Sequence, residues 1–259
     1  MNRTLALIAA RMGSSRLPGK ALEPVGGTTL LGLLLQRLRA VRGLDAIVLA
    51  TTVLPEDDAL EAWAHEQGLA VYRGDPEDVL GRLVGAIDAH PAERVVEVLG
   101  DNPFVPPALV EATLDHLEAT GAEFVSTATN ELPHCPPDLP RFAIGIRVQA
   151  FRADCLRRAG AATADPDDRE HATRFIVSHP AQFSLAYLPA EGPWAVANRP
   201  EWTLAVNHAR NLELVRKLHS ALAAGSEPYG LDAIFARLDR EPSWQALMGP
   251  PPTETPAPA

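Results

Sequence analysis

Residues able to do chemistry concentrate between Ala10 and Lys20, where the chain reads Ala10-Arg-Met-Gly-Ser-Ser-Arg-Leu-Pro-Gly-Lys20. Arg11, Arg16 and Lys20 supply three fixed cations. Gly13, Ser14, Ser15 and Gly19 let the backbone approach a ligand and offer N–H and hydroxyl donors. Such a loop suits a polyanion, and a nucleoside triphosphate is the candidate. Lys20 and Lys217 are the only two lysines in a chain that otherwise uses arginine for positive charge. A lysine in this loop points to a need for a compact, strongly hydrated ammonium. The pattern is not a Walker A loop, because Lys20 is followed by Ala21, and Gly-x-Gly-x-x-Gly is absent here. The plain alternative is a solvated loop; three cations interleaved with Gly, Ser and Pro argue against it.

The elements that must position this loop alternate between two periods. Leu5–Ala10 is an apolar strand, and Leu30, Leu34, Leu38 and Val41 then share a helical face. Ala46–Ala50 precedes a helix over Asp58–Gln67 that Gly68 stops, and Val71-Tyr72 is a short third strand. A helix over Asp78–Ala89, a strand over Arg94–Leu99 and a helix over Pro107–Thr120 follow, with Gly121 just past the last. Repeated βα alternation predicts an α/β fold with a mainly parallel, doubly wound sheet. Ligands of open α/β sheets sit beyond the carboxyl ends of strands, near the switch in strand order. The cationic loop and Asp101 both fall at such ends, so they can converge although some 80 residues separate them.

The second half is less regular. Glu123–Thr127, Phe142–Gln149, Phe183–Leu188 and Trp202–Val206 read as strands, and the Pro-rich stretch Leu132–Pro140 reads as a loop over the site. Asp168–Ser178 reads as a helix capped through Asp165-Pro-Asp-Asp168, and Asn207 as the cap of a helix running through Leu222. The predicted organisation is a single nucleotidyltransferase domain over 1–248. Residues 3–130 form its nucleotide-binding half, 131–225 its acceptor lobe, and 249–259 a disordered Pro-rich tail.

Arg11-Met-Gly-Ser-Ser-Arg-Leu-Pro-Gly-Lys20-Ala-Leu resembles the opening motif of the spore-coat polysaccharide (SpsF-like) cytidylyltransferases, relatives of the enzymes that make CMP-activated 3-deoxy-sugar acids. Further matches follow in order: Ala50-Thr-Thr52 with Glu56-Asp-Asp58, Arg73-Gly74, Asp78-Val-Leu80 with Arg82, Gly100-Asp101-Asn-Pro103, and Arg169-Glu-His-Ala-Thr173. The resemblance covers residues 3 to 218 and implies a nucleotide-diphospho-sugar transferase fold. It implies transfer of CMP from CTP to a sugar or sugar acid for surface polysaccharide, with pyrophosphate released. On that reading Arg11, Arg16 and Lys20 hold the triphosphate, and Asp101 holds Mg²⁺, a hard cation that prefers carboxylate and phosphate oxygens. Ala10, Gly13, Ser14, Ser15, Thr51, Arg73 and Gly100 contact the nucleotide; Arg82, Arg147 and His171 contact the acceptor. Plainer roles stay open for Asp101 as a turn residue, Asp78 as a helix-terminal charge, and Arg73, Arg82 and His171 as ordinary structural or surface groups.

Departures from the family pattern lie on the acceptor side. Family members commonly show Val-Asp-x-x-x-Asp-Leu, whose first Asp is a second metal ligand; here the stretch is Val206-Asn-His-Ala-Arg-Asn-Leu212. Asn207 is thus the second candidate metal ligand, able to offer an oxygen but no charge. Where Gly-Leu-Asp-Val-Glu is common, this chain has Gly145-Ile-Arg-Val-Gln149. Loss of these acids admits three readings: a more anionic acceptor matched by Arg147, an altered metal site, or a weakened nucleotide-binding regulatory subunit. A glycosyltransferase of a related fold would want an Asp-x-Asp metal motif of that class, and none appears: Asp165-Pro-Asp167 reads as part of a helix cap.

Bulk properties narrow the rest. A net charge of −10 over 259 residues argues against nucleic acid as a partner, and no apolar run reaches the roughly 20 residues of a membrane span. Two cysteines, Cys135 and Cys155, make no disulfide framework, as expected of a cytoplasmic protein. The expected partners are CTP and a small sugar-type acceptor, with a homodimer as the expected assembly.

Overall fold

The computed structural model describes residues 3–132, 134–223 and 228–249, so the Pro-rich tail lies outside the described residues. Strand β1 (Thr4–Ala9) is a run of short apolar residues buried over almost its whole length. A small hairpin, β2 (Pro24–Val25) with β3 (Thr28–Thr29), leads into α1 (Leu30–Arg39), whose first turn is capped by the Thr29 hydroxyl accepting from Gly32 N–H at 3.0 Å. The chain then alternates through β4 (Ala46–Thr52), α2 (Asp58–Glu66), β5 (Ala70–Gly74), α3 (Val79–Ala89), β6 (Arg94–Leu99) and α4 (Pro107–Thr120). Beyond α4 come β7 (Phe124–Thr127), β8 (Gln149–Arg152), α5 (Ala153–Ala162), α6 (Pro166–Glu170), α7 (Arg174–Ser178) and β9 (Leu185–Leu188). Helices α8 (Ala209–Leu222), α9 (Leu231–Arg240) and α10 (Pro242–Gln245) end the described chain.

One seven-stranded sheet runs through both halves in the order β5-β4-β1-β6-β8-β7-β9, and every pairing is parallel except those made by β8. From β1 the chain builds outward to β4 and β5, then returns to place β6 on the other side of β1. That reversal is the switch point at which open α/β sheets bind ligands. Side chains alternate across the sheet. Ile8, Leu49, Val96 and Val98 join the core beneath α1, α2, α4, α8 and α9, whereas Leu5, Leu7, Val48 and Val95 join the one beneath α3, α5 and α7. The fold is therefore the expected doubly wound, mainly parallel sheet with one antiparallel strand. No helix among the described residues is long and apolar enough to cross a membrane.

Four local expectations are corrected. Phe142–Gln149 is not a strand: only Gln149 onward pairs, while Phe142 and Ile144 form isolated bridges to Asn198 and Thr203. Trp202–Val206 is likewise extended chain, held by that bridge and by Leu204 N–H donating to the Ile144 carbonyl at 2.7 Å. Gly145, with a φ of +88°, breaks the extended chain inside the first segment where it packs on Leu204 and Ala205 of the second. The expected helix over Asp168–Ser178 is two short helices, α6 and α7. The break falls at His171, which leaves helical backbone with φ −108° and ψ 82°. Asn207 does not cap α8; His208 is the cap residue. Helices α5 and α9 were not anticipated, although Leu231, Ile234, Phe235 and Leu238 carry a clear i, i+3, i+4, i+7 spacing.

Both cysteines are buried and free, and burial pushes the Cys155 thiol up to about 12 and raises that of Cys135. Gly145 is the position where the fold tolerates least. A Cβ there would lie 2.2 Å from the backbone nitrogen of Ala205, in a left-handed conformation unfavourable to any L side chain. Left-handed strain and backbone overpacking together predict that Gly145→Ala costs roughly 2–4 kcal/mol. Urea denaturation should show this as a lowered midpoint at unchanged slope.

Candidate active site

The ends of β1, β4 and β6 build the site floor. Ala10 N–H donates to the Ala50 carbonyl at 3.3 Å, and Gly100 N–H to the Ala9 carbonyl at 3.0 Å, so the three chains leave the sheet side by side. A Cβ at Gly100 would come within 2.8 Å of the Ala10 Cβ, so a glycine there permits this approach. The cationic loop then folds back on one acceptor: Ser14 N–H and Gly19 N–H both donate to the Met12 carbonyl, at 2.8 and 2.9 Å. Gly19 adopts a φ of +74° as the loop enters the 3₁₀ turn Lys20–Leu22.

Asp57, fully buried, anchors the loop from the neighbouring strand. Its Oδ1 accepts from Met12 N–H at 2.6 Å, while Oδ2 accepts from the Thr52 N–H and hydroxyl. A carboxylate taken out of water is tolerable when such donors surround it. Its neighbour Glu56 lies over Gly13, where an added Cβ would sit 2.4 Å from the carboxylate oxygen.

Above this floor the loop reaches across to the end of β6 and the approach to α8. Lys20 Nζ donates to Asp101 Oδ2 at 2.6 Å and to the Val206 carbonyl at 2.7 Å. Val206 N–H in turn donates to the Asp101 carbonyl at 2.9 Å. Arg16 Nη2 donates to Asn207 Oδ1 at 2.8 Å. Residues from three distant parts of the chain thus meet within hydrogen-bonding distance: Arg16 and Lys20, Asp101, and Val206 with Asn207. The oxygens gathered here are a carboxylate, a carbonyl and an amide, all hard donors. Among the described residues no group of three or more His, Cys, Asp or Glu side chains is placed to hold a metal by itself.

Asn211 has a different task from Asn207. Its Oδ1 accepts from Asn207 and His208 N–H at 3.2 and 2.9 Å, closing the first turn of α8. Its Nδ2 donates to the Leu247 and Met248 carbonyls at 3.0 and 3.1 Å. An aspartate could not make the last two bonds, so this amide is explained by the packing of the C-terminal turn rather than by the site chemistry.

The remaining candidates divide. Arg11 Nη1 donates to the Pro76 carbonyl at 3.3 Å. Arg82 is buried with Nη1 on the Asp75 carbonyl at 2.8 Å and Nε without a partner; burial, reinforced by the positive charge of Arg11, lowers its pKa. Arg11 and Arg82 therefore form one basic pair beside the start of α3. Asp78 caps α3 through Gly81 N–H at 2.7 Å and pairs with Arg169, whose other nitrogen donates to the Gly160 carbonyl at 2.9 Å. Arg73 is held on the far side of β4 by the Thr52 and Leu54 carbonyls, Asp58 and Glu61. Its hydrogen bonds brace the turn from β4 into α2, so the structure ties it to that turn rather than to the loop. Thr51 is fully buried with an unpartnered hydroxyl, Ser14 Oγ accepts from Leu17 N–H at 3.4 Å, and Ser15 is exposed. His171 is exposed at the end of α6.

On the acceptor side, Arg147 faces Glu131 at 3.7 Å. Glu97, from β6 and directly across from Gln149 on β8, is buried; burial raises its pKa, and the positive charge of Arg147 opposes that rise. Thr173 Oγ1 donates to Gln149 Oε1 at 3.1 Å, while Gln149 Nε2 has no partner. Sequence reading missed Asp57, the Val206 carbonyl, Glu97 and Glu131. Asp57 stood in a motif already quoted, but nothing in its spacing distinguishes an anchor from a solvated acid; a backbone carbonyl leaves no trace in sequence at all.

The anchoring role of Asp57 is open to measurement. Losing a buried acceptor that serves several donors predicts that Asp57→Ala destabilises the protein by about 2–3 kcal/mol. Amide hydrogen exchange across residues 11–20 should rise in parallel. Ser15→Ala, at an exposed position of the same loop, should leave both unchanged.

Comparison with known proteins gives the family and the fold. The model of the cytidylyltransferase family matches residues 5–193. The spore coat polysaccharide biosynthesis protein SpsF of Bacillus subtilis is 32% identical over 248 residues, covering 93% of this chain and 96% of that protein. A 3-deoxy-manno-octulosonate cytidylyltransferase of Anaeromyxobacter dehalogenans is 32% identical over 159 residues, 60% of this chain and 62% of its own. In fold, the structure of a cytidylyltransferase from Leptospira borgpetersenii superposes with a TM-score of 0.83 at 24% identity, each chain covered completely. The loop that ties β1 to Asp101 thus sits inside the matched region, and the chain belongs to the cytidylyltransferase family.

Proposed function

We propose that this protein transfers CMP from CTP to a sugar or sugar acid, with release of pyrophosphate, in the building of a surface glycan. The observation that carries the reading is the meeting of Arg16 and Lys20 with Asp101 and Asn207 at the switch point of the sheet. The family membership and the resemblance to enzymes of 3-deoxy-sugar acids supply the nucleotide and the acceptor class.

The reaction joins an acceptor oxygen to the α-phosphorus and breaks the bond from that phosphorus to the bridging oxygen of pyrophosphate. Protein groups contribute position and charge to such a displacement rather than covalent chemistry. Lys20 and Arg16 are placed to receive the negative charge of the triphosphate and of the leaving pyrophosphate. Asp57 holds the loop that carries them, so the cations are oriented before substrate arrives. The hard oxygens of Asp101, Val206 and Asn207 suit Mg²⁺, and the Lys20 ammonium already stands in for a cation on two of them. Asp101 and Asn207 would hold the ion, which when bound neutralises charge on phosphate oxygens.

The acceptor is assigned to Arg82, Arg147 and His171, with Gln149 and Thr173 hydrogen-bonded to each other on the same side of the sheet as the α3 core. Arg147 is met by Glu131, whereas Arg82 and Arg11 donate to backbone carbonyls, and that basic pair suits an anionic group such as a sugar carboxylate. Intact pairing of Lys20 with Asp101 favours an active enzyme over a regulatory subunit.

Two measurements test the reading. Calorimetric titration in the presence of Mg²⁺ should rank CTP above ATP, GTP and UTP; equal affinities or a purine preference would remove the cytidylyl assignment. Lys20→Ala should lower turnover by about 10²–10³, the scale of losing one preorganised donor at developing charge. Lys20→Arg should recover little of it, since a planar fork does not replace a point ammonium. Lys217, on α8 beside Glu213 and Trp244, is the control, and Lys217→Ala should retain turnover.

A further inference from the structure

Three of the oxygens gathered at the proposed metal site, Asp101 Oδ2, the Val206 carbonyl and Asn207 Oδ1, are already held by cations of the protein. Lys20 Nζ lies 2.6 Å from Asp101 Oδ2 and 2.7 Å from the Val206 carbonyl; Arg16 Nη2 lies 2.8 Å from Asn207 Oδ1. The lysine and aspartate side chains are largely buried, at 14% and 21% exposure, so this pair is only partly screened by solvent. A divalent cation arriving alone would have to displace Lys20 from two of these oxygens, or share the Asp101 carboxylate with an ammonium 2.6 Å from it. A displaced ammonium would gain no new counter-charge. A triphosphate changes that balance, because its oxygens offer Lys20 and Arg16 anionic partners outside the protein.

We infer that the cationic loop is an interlock: Lys20 and Arg16 keep the metal oxygens closed against a free divalent cation and release them only when a polyphosphate takes up their charge. The idea rests on the assignment of Asp101 as metal ligand. It goes further in stating that metal and polyphosphate enter as one coupled unit, and that the same lysine serves both states. Lys20 is at once the ligand's partner and the metal's competitor. Couplings between sites of this kind commonly amount to about 5- to 150-fold in affinity.

A wild-type experiment is available because the chain has only two lysines, Lys20 and Lys217. Protein labelled with ¹⁵N at the lysine side chains, kept cold and mildly acidic to slow exchange, should show the Lys20 ammonium as the resonance that survives in Lys217→Arg. In the free protein the Lys20 resonance should be protected from solvent exchange. Addition of millimolar Mg²⁺ alone should leave it in place, whereas inorganic tripolyphosphate with Mg²⁺ should shift it. Displacement by Mg²⁺ alone would overturn the interlock, as would a Lys20 resonance indifferent to tripolyphosphate that calorimetry shows to be bound. Tripolyphosphate carries no base and the readout is not turnover, so failure of the CTP assignment would not be mistaken for failure of the interlock.

Removing the competitor provides a second arm. Lys20→Met should bind Mn²⁺, followed by electron paramagnetic resonance without any nucleotide, at least about tenfold more tightly than wild type, within the usual range of site coupling. The gain should vanish in Lys20→Met combined with Asp101→Asn. Equal Mn²⁺ affinity in Lys20→Met and wild type, or a gain that survives the second substitution, would count against Lys20 as the group that closes the site.

Discussion

Strand β1 is hydrogen-bonded on both sides to parallel neighbours, β4 and β6, in registers that run from Leu5–Ala46 to Ala9–Ala50 and from Thr4–Arg94 to Ala9–Leu99. Both faces of β1 are covered, so slipping it by one residue would exchange Leu7 with Ile8 between two filled cores. Register is thereby set by packing, and with it the height at which three chains leave the sheet. The loop after β1, the turn after β4 that carries Asp57, and the Gly100-Asp101 turn after β6 all start from that one level. Every contact in the candidate site depends on it.

Electrostatics then decides which of the many arginines take part. A protein of net charge −10 can hold its cations in two ways, by neutralising them in structural pairs or by presenting them. Arg73 is of the first kind, with two carboxylates and two carbonyls around it, and Arg169 with Asp78 is another. Arg147 stands between Glu131 and the buried Glu97. Arg16 and Lys20 are different in that their partners are the oxygens assigned to the metal, so their pairing is one that a ligand can exchange. The same reasoning separates the two asparagines at the start of α8: Asn211 needs its amide donors for the C-terminal turn, whereas Asn207 offers only its oxygen to Arg16.

Much of this was legible in the residues. The alternation of short apolar runs with 3.6-period helices determined the doubly wound sheet, because burial on both faces and on one face leave different patterns. The loop from Ala10 to Lys20 was conspicuous because three cations are interleaved with Gly, Ser and Pro, and Asp101 because it follows a strand end. Gly145 was visible only as part of a motif; that it breaks an extended segment where Ala205, sixty residues later, packs on it was not. Helix α9 carried its signal openly, while α6 and α7 were merged because nothing in the residue types marks His171 as the place where the backbone leaves the helix.

What only tertiary structure decided are the pairings across long separations. Types and spacing determined that cations and hard oxygens were present; they did not determine that Lys20 would rest on Asp101 and Val206, or Arg16 on Asn207. Nor did they separate Arg73, spent on its own turn, from Arg16, directed across the site. The physical reason is that local sequence encodes backbone propensity and the face a residue presents. A charge acquires its role from whichever oppositely charged or carbonyl group the packed sheet brings within about 3 Å, the reach of a hydrogen bond, and that group lies far along the chain.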